Sequence, residues 1–568
     1  MQHNSQGNML LHNYSHYSPL ESVLTPSSIV DIACGMQHEA ASITDLNSMA
    51  GVVQFHSAAK KAGVKPIIGL ELKTTYDTSL ILIAENLKGY KNLLKLLYEM
   101  NKGGGACLPI GRIEEIGVEN VLCITGHAYS ELYYLIESKQ DPRQHIEKLN
   151  SIFGDTNVYI QTSHYTKDNV RDGLEANAEY FYKELCHVNL IRYESNYDSE
   201  YLYDVLRAKK AKKPIEDLPK KSMDFCPFFD PNLSHHVNKE ICRRCEDYEI
   251  TGPQKLPHFA CPRGLSSVNF LREICKENFI KKVRAKKLDE QAYMERMREE
   301  IAVFESADLT DYFLIVADIL NKSTELGFLN GPGRGSSAGC LTSYLLNITQ
   351  IDPIKHGLSF ARFYNAGRKG SMPDIDFDVP KEARAPLVEH IQTKYGKDHT
   401  GQIVTYQTFM GRSAIKAILG AEDSLSFSEI NEITKLIQDK AKISDELETM
   451  KEEGREPSVI LWALENRANK LDNWASLKED KIEGPYGKQF ELAIKLERIK
   501  SAQAKHAAGV IISQDPLADT VPTLYDKDTK EVMVGMEYED AEKSGCIKLD
   551  LLGLTSLSKL QEIERLTK

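Results

Sequence analysis

The stretch that decides the fold begins with Gly331-Pro-Gly-Arg-Gly-Ser-Ser-Ala-Gly339 and ends with Pro373-Asp-Ile-Asp-Phe-Asp378. The glycines of the first segment let the backbone turn tightly and approach a ligand closely. Ser336 or Ser337 is expected to cap a helix over residues 338–346. Free N–H groups at a helix start attract phosphate, and Arg334 adds a fork of donors. This loop predicts phosphate binding, and a plain turn before a helix is the alternative interpretation.

The second segment carries closely spaced carboxylates. Asp376 and Asp378 alternate with the apolar Ile375 and Phe377. Because alternate residues of a strand share a face, both carboxylates are expected to point the same way. Two like charges at that spacing are unfavourable unless a cation lies between them, and Mg²⁺ prefers a few carboxylates together with substrate phosphates. The pattern predicts a Mg²⁺ site, with a solvated acidic strand end as the alternative.

The composition excludes several classes of protein. The chain has 568 residues, of which 42% are hydrophobic, so it is long and apolar enough for several packed domains. Its net charge of −12 excludes a protein that is basic throughout, although a local basic groove can lie in acidic surroundings. Its 11 cysteines form no dense framework and no signal peptide precedes them, which predicts a cytoplasmic location. No apolar run has transmembrane length, so no membrane partner is expected.

The first part of the chain alternates strands and helices. We predict strands over 40–44 and 65–72 and a helix over 52–62. This alternation indicates an α/β architecture with parallel strands. His12, His16, Asp45 and Glu71 lie at strand ends, where such folds place their chemistry.

A zinc site is one possibility that the cysteines leave open. Cys242 and Cys245 have the spacing of zinc ligands, and Cys226 and Cys261 could complete the set. The pair lies in a segment with a helical pattern, however, and the other two cysteines are distant in sequence. The sequence therefore does not decide between zinc ligands and buried thiols.

The first 265 residues resemble the PHP domain of bacterial replicative DNA polymerases of family C. His12-Asn13-Tyr14 stands where that family has His-x-His, and Asp45-Leu46 stands where it has Asp-His. Glu71 matches the family's glutamate, while two later histidines correspond, in a loose alignment, to Arg192 and Tyr203. The resemblance implies a PHP-like (β/α) barrel that has lost at least two metal ligands. We therefore expect a metal-free scaffold rather than a phosphoesterase or a 3′–5′ exonuclease.

The resemblance extends over nearly the whole chain, to the catalytic α subunits of bacterial DNA polymerase III. The motifs that carry it, in family order, are Asp311-Tyr-Phe-Leu-Ile-Val, Gly331-Pro-Gly-Arg-Gly-Ser, Asp352-Pro, Phe360-Ala-Arg-Phe-Tyr-Asn365, Met372-Pro-Asp-Ile-Asp-Phe-Asp378, Gln402-Ile-Val-Thr-Tyr406, His506-Ala-Ala-Gly-Val510 and Lys548-Leu-Asp-Leu-Leu-Gly-Leu554. It implies an α/β multidomain protein in which a polymerase-β-like mixed-sheet palm carries an inserted helical thumb. The implied domains are a PHP-like domain (1–265), a first part of the palm (266–407), a thumb (408–500) and a second part of the palm (501–568).

The resemblance also assigns roles to residues. Asp376, Asp378 and Asp550 look like the catalytic, metal-binding carboxylates of a DNA-directed DNA polymerase. The implied reaction transfers a nucleotide from a dNTP to a primer 3′-hydroxyl on template DNA with two Mg²⁺ ions, for which Mn²⁺ may substitute. The implied nucleotide-binding residues are Arg334, Gly335, Ser336, Arg362, Arg412, Lys416 and His506.

The sequence ends at Lys568, whereas family members continue with fingers, clamp-binding and further domains. We therefore expect half of a split polymerase, with the fingers on a second chain through which any sliding clamp or other replisome protein would be contacted. A truncated product is an alternative. A third interpretation is a catalytically incomplete module that binds DNA or serves assembly.

Overall fold

The computed structural model describes residues 11–163, 166–183, 185–187, 190–194, 197–219, 236–365, 372–373, 375–422, 425–479 and 481–567. Asp374 and Cys226 lie outside these residues. The chain divides into two compact units. The first unit comprises 1–250, 404–504 and 522–531, and the second comprises 251–403, 505–521 and 532–568.

The strands, in chain order, are β1 (His12–Asn13), β2 (Ala40–Ile43), β3 (Lys65–Lys73), β4 (Ser79–Ala84), β5 (Val121–Thr125), β6 (Val158–Thr162), β7 (Leu185–His187), β8 (Leu190–Ile191), β9 (Phe377–Pro380), β10 (Thr400–Thr408), β11 (Ser476–Lys478), β12 (Lys481–Glu483), β13 (Lys500–Ile512), β14 (Thr523–Asp526), β15 (Glu531–Val534) and β16 (Ile547–Leu554).

The helices of the N-terminal part are α1 (Pro26–Gly35), α2 (Val52–Ala62), α3 (Leu87–Lys102), α4 (Ile110–Ile116), α5 (Glu131–Glu137), α6 (Arg143–Phe153), α7 (Asp168–Tyr180), α8 (Tyr197–Ala211) and α9 (His236–Arg244). The next group is α10 (Ser267–Phe279), α11 (Glu290–Ser306), α12 (Thr310–Glu325), α13 (Leu341–Leu345) and α14 (Arg384–Tyr395). The remaining helices are α15 (Arg412–Ala421), α16 (Phe427–Leu436), α17 (Ser444–Glu452), α18 (Val459–Asn466), α19 (Ala468–Leu471), α20 (Gly487–Leu496), α21 (Leu517–Thr520), α22 (Tyr538–Lys543) and α23 (Thr555–Thr567).

A mixed sheet with the strand order β2-β3-β4-β5-β6-β7 forms the centre of the first unit. β2 and β3 pair in parallel, as do β5 with β6 and β6 with β7. The expectation of parallel strands was wrong for β3–β4 and β4–β5, which are antiparallel. Residues 74–78, which join β3 to β4, are too few for the crossover that a parallel pair needs. β1 and β8 form a separate parallel pair, in which His12 is in register with Leu190 and Asn13 with Ile191.

The helices of residues 404–504 pack in the same unit as the N-terminal sheet. Their apolar side chains share one buried cluster with residues of α8, including Val205 and Leu206 with Ile418 and Phe490. Lys495 forms an ion pair with Asp198 at the start of α8, at 2.5 Å. The segment expected to form a separate thumb is thus packed against α8 within one compact unit.

The second unit is built on β16. This strand pairs in parallel with β9 and antiparallel with β13, and Ile403 of β10 pairs with Val534 of β15. Leu549 and Leu551 are buried in a core that also contains Phe313 of α12 and Phe377 of β9. One face of β16 is therefore apolar and covered, while the alternate residues lie on the other face. In the part of the chain that the structure describes, none of the helices combines the length and apolar character needed to cross a bilayer.

Candidate active site

Asp378 and Asp550 lie on the same face of two neighbouring parallel strands. Asp378 of β9 is in register with Leu552 of β16, and Asp550 precedes Leu552 by two residues. Parallel partners in register share a face, as do residues two apart on one strand. The flanking Phe377 and Leu551 are fully buried on the opposite face. The register therefore brings these two carboxylates together, and Asp376 immediately precedes β9.

Both carboxylates have an oxygen atom that is suited to a cation. Oδ1 of Asp378 and Oδ1 of Asp550 are buried, and neither accepts a hydrogen bond from a described residue. The side chains are only 10% and 23% exposed, respectively. Burial raises the pKa of Asp378, and the nearby Asp376 adds to this, against the opposing effect of Arg334. Hard oxygen donors in such surroundings fit Mg²⁺, because a divalent cation would satisfy them and relieve their mutual repulsion.

Arg334 is the cation that faces the carboxylates from the glycine-rich loop. Its Nε atom donates to Oδ2 of Asp376 at 3.0 Å and lies 3.5 Å from Oδ1 of Asp378. The loop reaches the strand directly, since the amide of Gly331 donates to the carbonyl of Asp378 at 2.8 Å. The geometry thus joins the loop and the carboxylates that the sequence placed in one functional stretch.

The expected helix over 338–346 was wrong. Residues Gly335–Gly339 form a 3₁₀ turn, and the α-helix that follows is only the short α13. Neither Ser336 nor Ser337 caps it, and the capping residue is Cys340, whose Sγ accepts from the amide of Ser343. The backbone is left-handed at Gly333 (φ 101°) and Gly335 (φ 64°), two positions of the loop that precede the expected helix.

A buried glutamate of α11 accepts hydrogen bonds from the first two amides of α13, in addition to the cap that Cys340 provides. Glu300 is fully buried and accepts from the amides of Leu341 at 3.0 Å and Thr342 at 2.7 Å. Arg296, one turn earlier, pairs with Glu300 at 2.7 Å and donates to the carbonyl of Gly339 at 3.0 Å. The loop is therefore held by α11. Local sequence patterns do not indicate this contact, because it joins residues about forty positions apart.

His506 lies beside Asp550. Two basic side chains near it, Lys548 and Arg384, were not predicted from the sequence. Its Nδ1 atom accepts from the amide of Gly509 at 2.7 Å, so the ring proton is on Nε2. Burial, with Lys548 and Arg384, lowers the pKa of His506, and Asp550 opposes them. Lys548 pairs with Asp550 at 2.9 Å, and the buried Nε of Arg384 has no hydrogen-bond partner among the described residues. The Lys-x-Asp spacing on a strand could have indicated Lys548.

The remaining residues predicted to bind nucleotide lie in different surroundings. Gly335 and Ser336 are exposed in the loop. Arg362 is exposed at the end of a 3₁₀ turn and forms no ion pair with any described residue. Arg412 and Lys416 belong to the first unit. There Arg412 pairs with Asp439 at 2.8 Å, and the Lys416 ammonium lies 4.7 Å from the ring centre of Phe427.

Buried polar residues of the first unit form hydrogen bonds and an ion pair with one another. Glu71 is buried and pairs with His12 at 2.5 Å, and the hydroxyl of Tyr14 donates to the same carboxylate oxygen. Burial alone would raise the pKa of Glu71, but His12, His127 and these hydrogen bonds outweigh it and lower the pKa. Asp45 accepts from the amide and the hydroxyl of Ser15 and from the hydroxyl of Ser18, while burial raises its pKa to about 7.

Arg192 and Tyr203 stand in the same cavity as Tyr14 and Glu71, which has a volume of about 610 Å³. The guanidinium of Arg192 pairs with Glu21 at 2.6 Å, donates to the hydroxyl of Tyr203 at 2.9 Å and lies 4.8 Å from the ring centre of Tyr14. The positively charged guanidinium of Arg192 therefore lines the cavity to which the family resemblance assigns the missing histidines.

Three of the four cysteines considered for zinc lie among the described residues. Cys242 and Cys245 pack in an apolar cluster of the first unit, whereas Cys261 belongs to the second unit. Within the described ranges, which do not include Cys226, no group of three or more His, Cys, Asp or Glu side chains is arranged to hold a metal ion.

Comparisons with known proteins agree with this architecture. Residues 269–553 match the bacterial DNA polymerase III alpha NTPase domain, and residues 11–164 match the PHP domain. The DNA polymerase III subunit alpha of Bacillus subtilis (strain 168) is 30% identical over 580 residues, which cover 97% of this chain and 48% of that protein. The corresponding subunit of Borreliella burgdorferi is 32% identical over 600 residues, covering 98% and 49%, and that of Aquifex aeolicus is 29% identical over 622 residues, covering 98% and 52%.

Among solved structures, a putative metal-dependent phosphoesterase from Bifidobacterium adolescentis aligns with 32% of this chain and 87% of its own, at 12% identity and a TM-score of 0.21, which is too low to define a shared fold. The sequence matches are decisive instead, because the polymerase domain alone spans half of the chain. The chain belongs to the bacterial DNA polymerase III alpha family. It spans about half the length of the curated relatives it matches.

Proposed function

We propose that the second unit carries a nucleotidyl-transfer centre that extends a DNA primer with dNTPs on a template strand. The observation that supports this most is the position of Asp378 and Asp550 on one face of two neighbouring strands, each with a buried oxygen that accepts no hydrogen bond from a described group. Asp376, Asp378 and Asp550 would hold the divalent cations together with substrate phosphates, since within the described residues the three carboxylates do not by themselves form a group arranged around one ion. When bound, two Mg²⁺ ions promote attack by the primer 3′-hydroxyl and stabilise the leaving pyrophosphate.

The residues around the carboxylates bind and orient the substrates. Arg334 faces Asp376 from a loop whose exposed Gly335 and Ser336 leave backbone donors accessible to a triphosphate. Arg362 is exposed and provides a further cation for the same group. His506 is held with Nε2–H as its donor, next to Asp550, where it orients the primer terminus or the nucleotide.

The first unit serves as the scaffold and contributes DNA contacts through Arg412, Lys416 and the helices around them. Arg192 and Tyr203 line its cavity in place of the family's histidines, so we propose that it holds no catalytic metal and performs no nuclease reaction. The proposed partners are primer–template DNA, a fingers-bearing polypeptide and, through it, a sliding clamp and other replisome proteins.

The test is extension of a labelled primer by the Asp550→Asn variant, with this chain alone and with a fingers-bearing polypeptide of the family added. We expect the wild type to extend the primer in at least the second assay and the variant to lose activity by about a thousandfold or more. Asp515→Asn, at an exposed carboxylate of the same unit, is the matched control and should retain activity. Near-wild-type extension by Asp550→Asn would refute the assignment.

A further inference from the structure

A groove between α10 and α11 is lined by apolar and basic side chains, and none of them has a role in the proposed polymerase reaction. It encloses about 570 Å³ in the second unit. Its floor is apolar and includes Phe279, Met297 and Ile301, which are less than a tenth exposed, and Ile280, which is 52% exposed at its edge. An exposed apolar side chain beside an apolar floor is typical of a surface that binds another molecule.

The rim of this groove is basic. The charged residues that line it are Arg272, Lys276, Arg284 and Arg298, and none of the described residues in its lining is acidic. Arg272 and Arg284 form exposed ion pairs with Glu305 and Glu290, which lie outside the lining. Such solvent-exposed pairs contribute about 0–1 kcal/mol each, so carboxylates of a partner could replace them.

The spacing of the lining residues shows what shape of partner the groove fits. Arg272, Lys276, Phe279 and Ile280 lie on one face of α10 and its continuation, and Met294, Met297, Arg298 and Ile301 lie on one face of α11. Two parallel ridges of this kind form the walls of a groove for a third helix, and methionines let such walls adapt. The chain also departs from α-helix at this wall, since Ile280–Arg284 is a π-helical turn, which frequently marks a functional site.

We propose that the α10–α11 groove binds an acidic amphipathic helix of a partner protein, with apolar side chains on the floor and carboxylates on the basic rim. A nucleic-acid backbone would engage the cations but would leave the apolar floor and Ile280 without a contact, so the peptide is the better match. This inference goes beyond the proposed polymerase activity and does not depend on it.

The test is fluorescence anisotropy with a labelled synthetic helix that carries leucines at i, i+3, i+4 and i+7 and glutamates on both flanks. We expect saturable binding to the full chain, and binding weaker by about tenfold in the Lys276→Glu/Arg298→Glu variant, since two exposed charges are reversed. Lys281→Glu is the matched control, because Lys281 is exposed in the same segment but does not line the groove.

The Ile280→Asp variant tests the apolar contribution separately and should also weaken binding, since Ile280 is exposed enough to be changed without unfolding the chain. Equal affinity for a scrambled peptide of the same composition would overturn the proposal, because the helical face would then have no role. Displacement of the peptide by a single-stranded oligonucleotide, with equal loss of oligonucleotide binding in the rim variant, would instead identify a nucleic-acid surface and also overturn it.

Discussion

Gly331 and Asp378 lie so close that a Cβ atom added to Gly331 would come within 2.5 Å of the Cβ of Asp378. The Gly331 amide also donates to the Asp378 carbonyl, so the glycine loop and the carboxylate strand are in direct backbone contact. Residue 331 must therefore be glycine because the loop and the strand approach each other closely, not because its backbone is left-handed.

Gly331→Ala should displace Asp378 and destabilise the chain by about 1–3 kcal/mol, because the added methyl group overlaps the strand. It should also weaken Mg²⁺ binding, measured by calorimetric titration, if Asp378 is a ligand. Gly252→Ala is the control, since a Cβ there meets no atom within 4 Å. Identical stability of the two variants would show that the loop yields without cost.

Glu300→Gln should lower the free energy of unfolding by about 3–5 kcal/mol. The substitution breaks the ion pair with Arg296, and the new side-chain NH₂ group faces the backbone N–H donors of Leu341 and Thr342. Denaturant titration followed by circular dichroism measures this loss. Glu299→Gln, at the exposed neighbouring position, should leave the midpoint unchanged. A small effect at residue 300 would mean that Arg296 and the loop find other partners.

Mn²⁺ should raise the melting temperature through the carboxylates of the second unit only. The shift should persist in Glu71→Gln, because the guanidinium of Arg192 lines the cavity of the first unit and disfavours a metal cation there, and should disappear in Asp378→Asn. Differential scanning fluorimetry with and without Mn²⁺ gives the comparison, each variant against its own metal-free curve. A shift that depends on Glu71, or a Mn²⁺-dependent 3′ exonuclease activity lost in Glu71→Ala, would contradict the scaffold role.

His16 should make stability fall in mild acid. The side chain is buried, both ring nitrogens lack a hydrogen-bond partner, and burial together with Lys500 lowers its pKa to about 3. The unfolded chain takes up a proton as pH falls below about 6.5 while the folded chain does not, so stability is lost progressively from there to about pH 3.

At pH 5 this loss amounts to about 2 kcal/mol relative to pH 7. His16→Phe and His16→Gln both remove the titrating group, so each should show a smaller decrease between these pH values by that amount. Comparing the two separates the proton from the packing of the ring against Tyr17. An unchanged pH dependence in both variants would exclude His16 as its source.

Local patterns in the sequence predicted local structure well. The alternation of Ile375 and Phe377 with the aspartates gives one buried and one accessible face, because period-two burial needs only the strand itself. The direction of strand pairing was less predictable, and β3–β4 shows why. A strand's own residues indicate that it is extended, whereas its partner's direction depends on the length of the connection.

The failures at the site share a cause. The helix expected after Ser336 is shorter than predicted, because Gly335–Gly339 form a 3₁₀ turn and Glu300 of another helix accepts from the first amides of α13. Arg384 and Lys548 were not assigned because their relation to His506 arises only when the strands and α14 are assembled. Asp550 entered through the family resemblance, and the β9–β16 register explains its position in physical terms.

The buried Glu300 has a consequence for the kinetics of hydrogen exchange. The amides of Leu341 and Thr342 are bonded to a side chain of α11 instead of to carbonyls of their own helix. Their deuterium uptake therefore reports when the glycine loop detaches from α11, independently of fraying in α13. The exchange rates of these two amide hydrogens thus report how often the glycine loop opens.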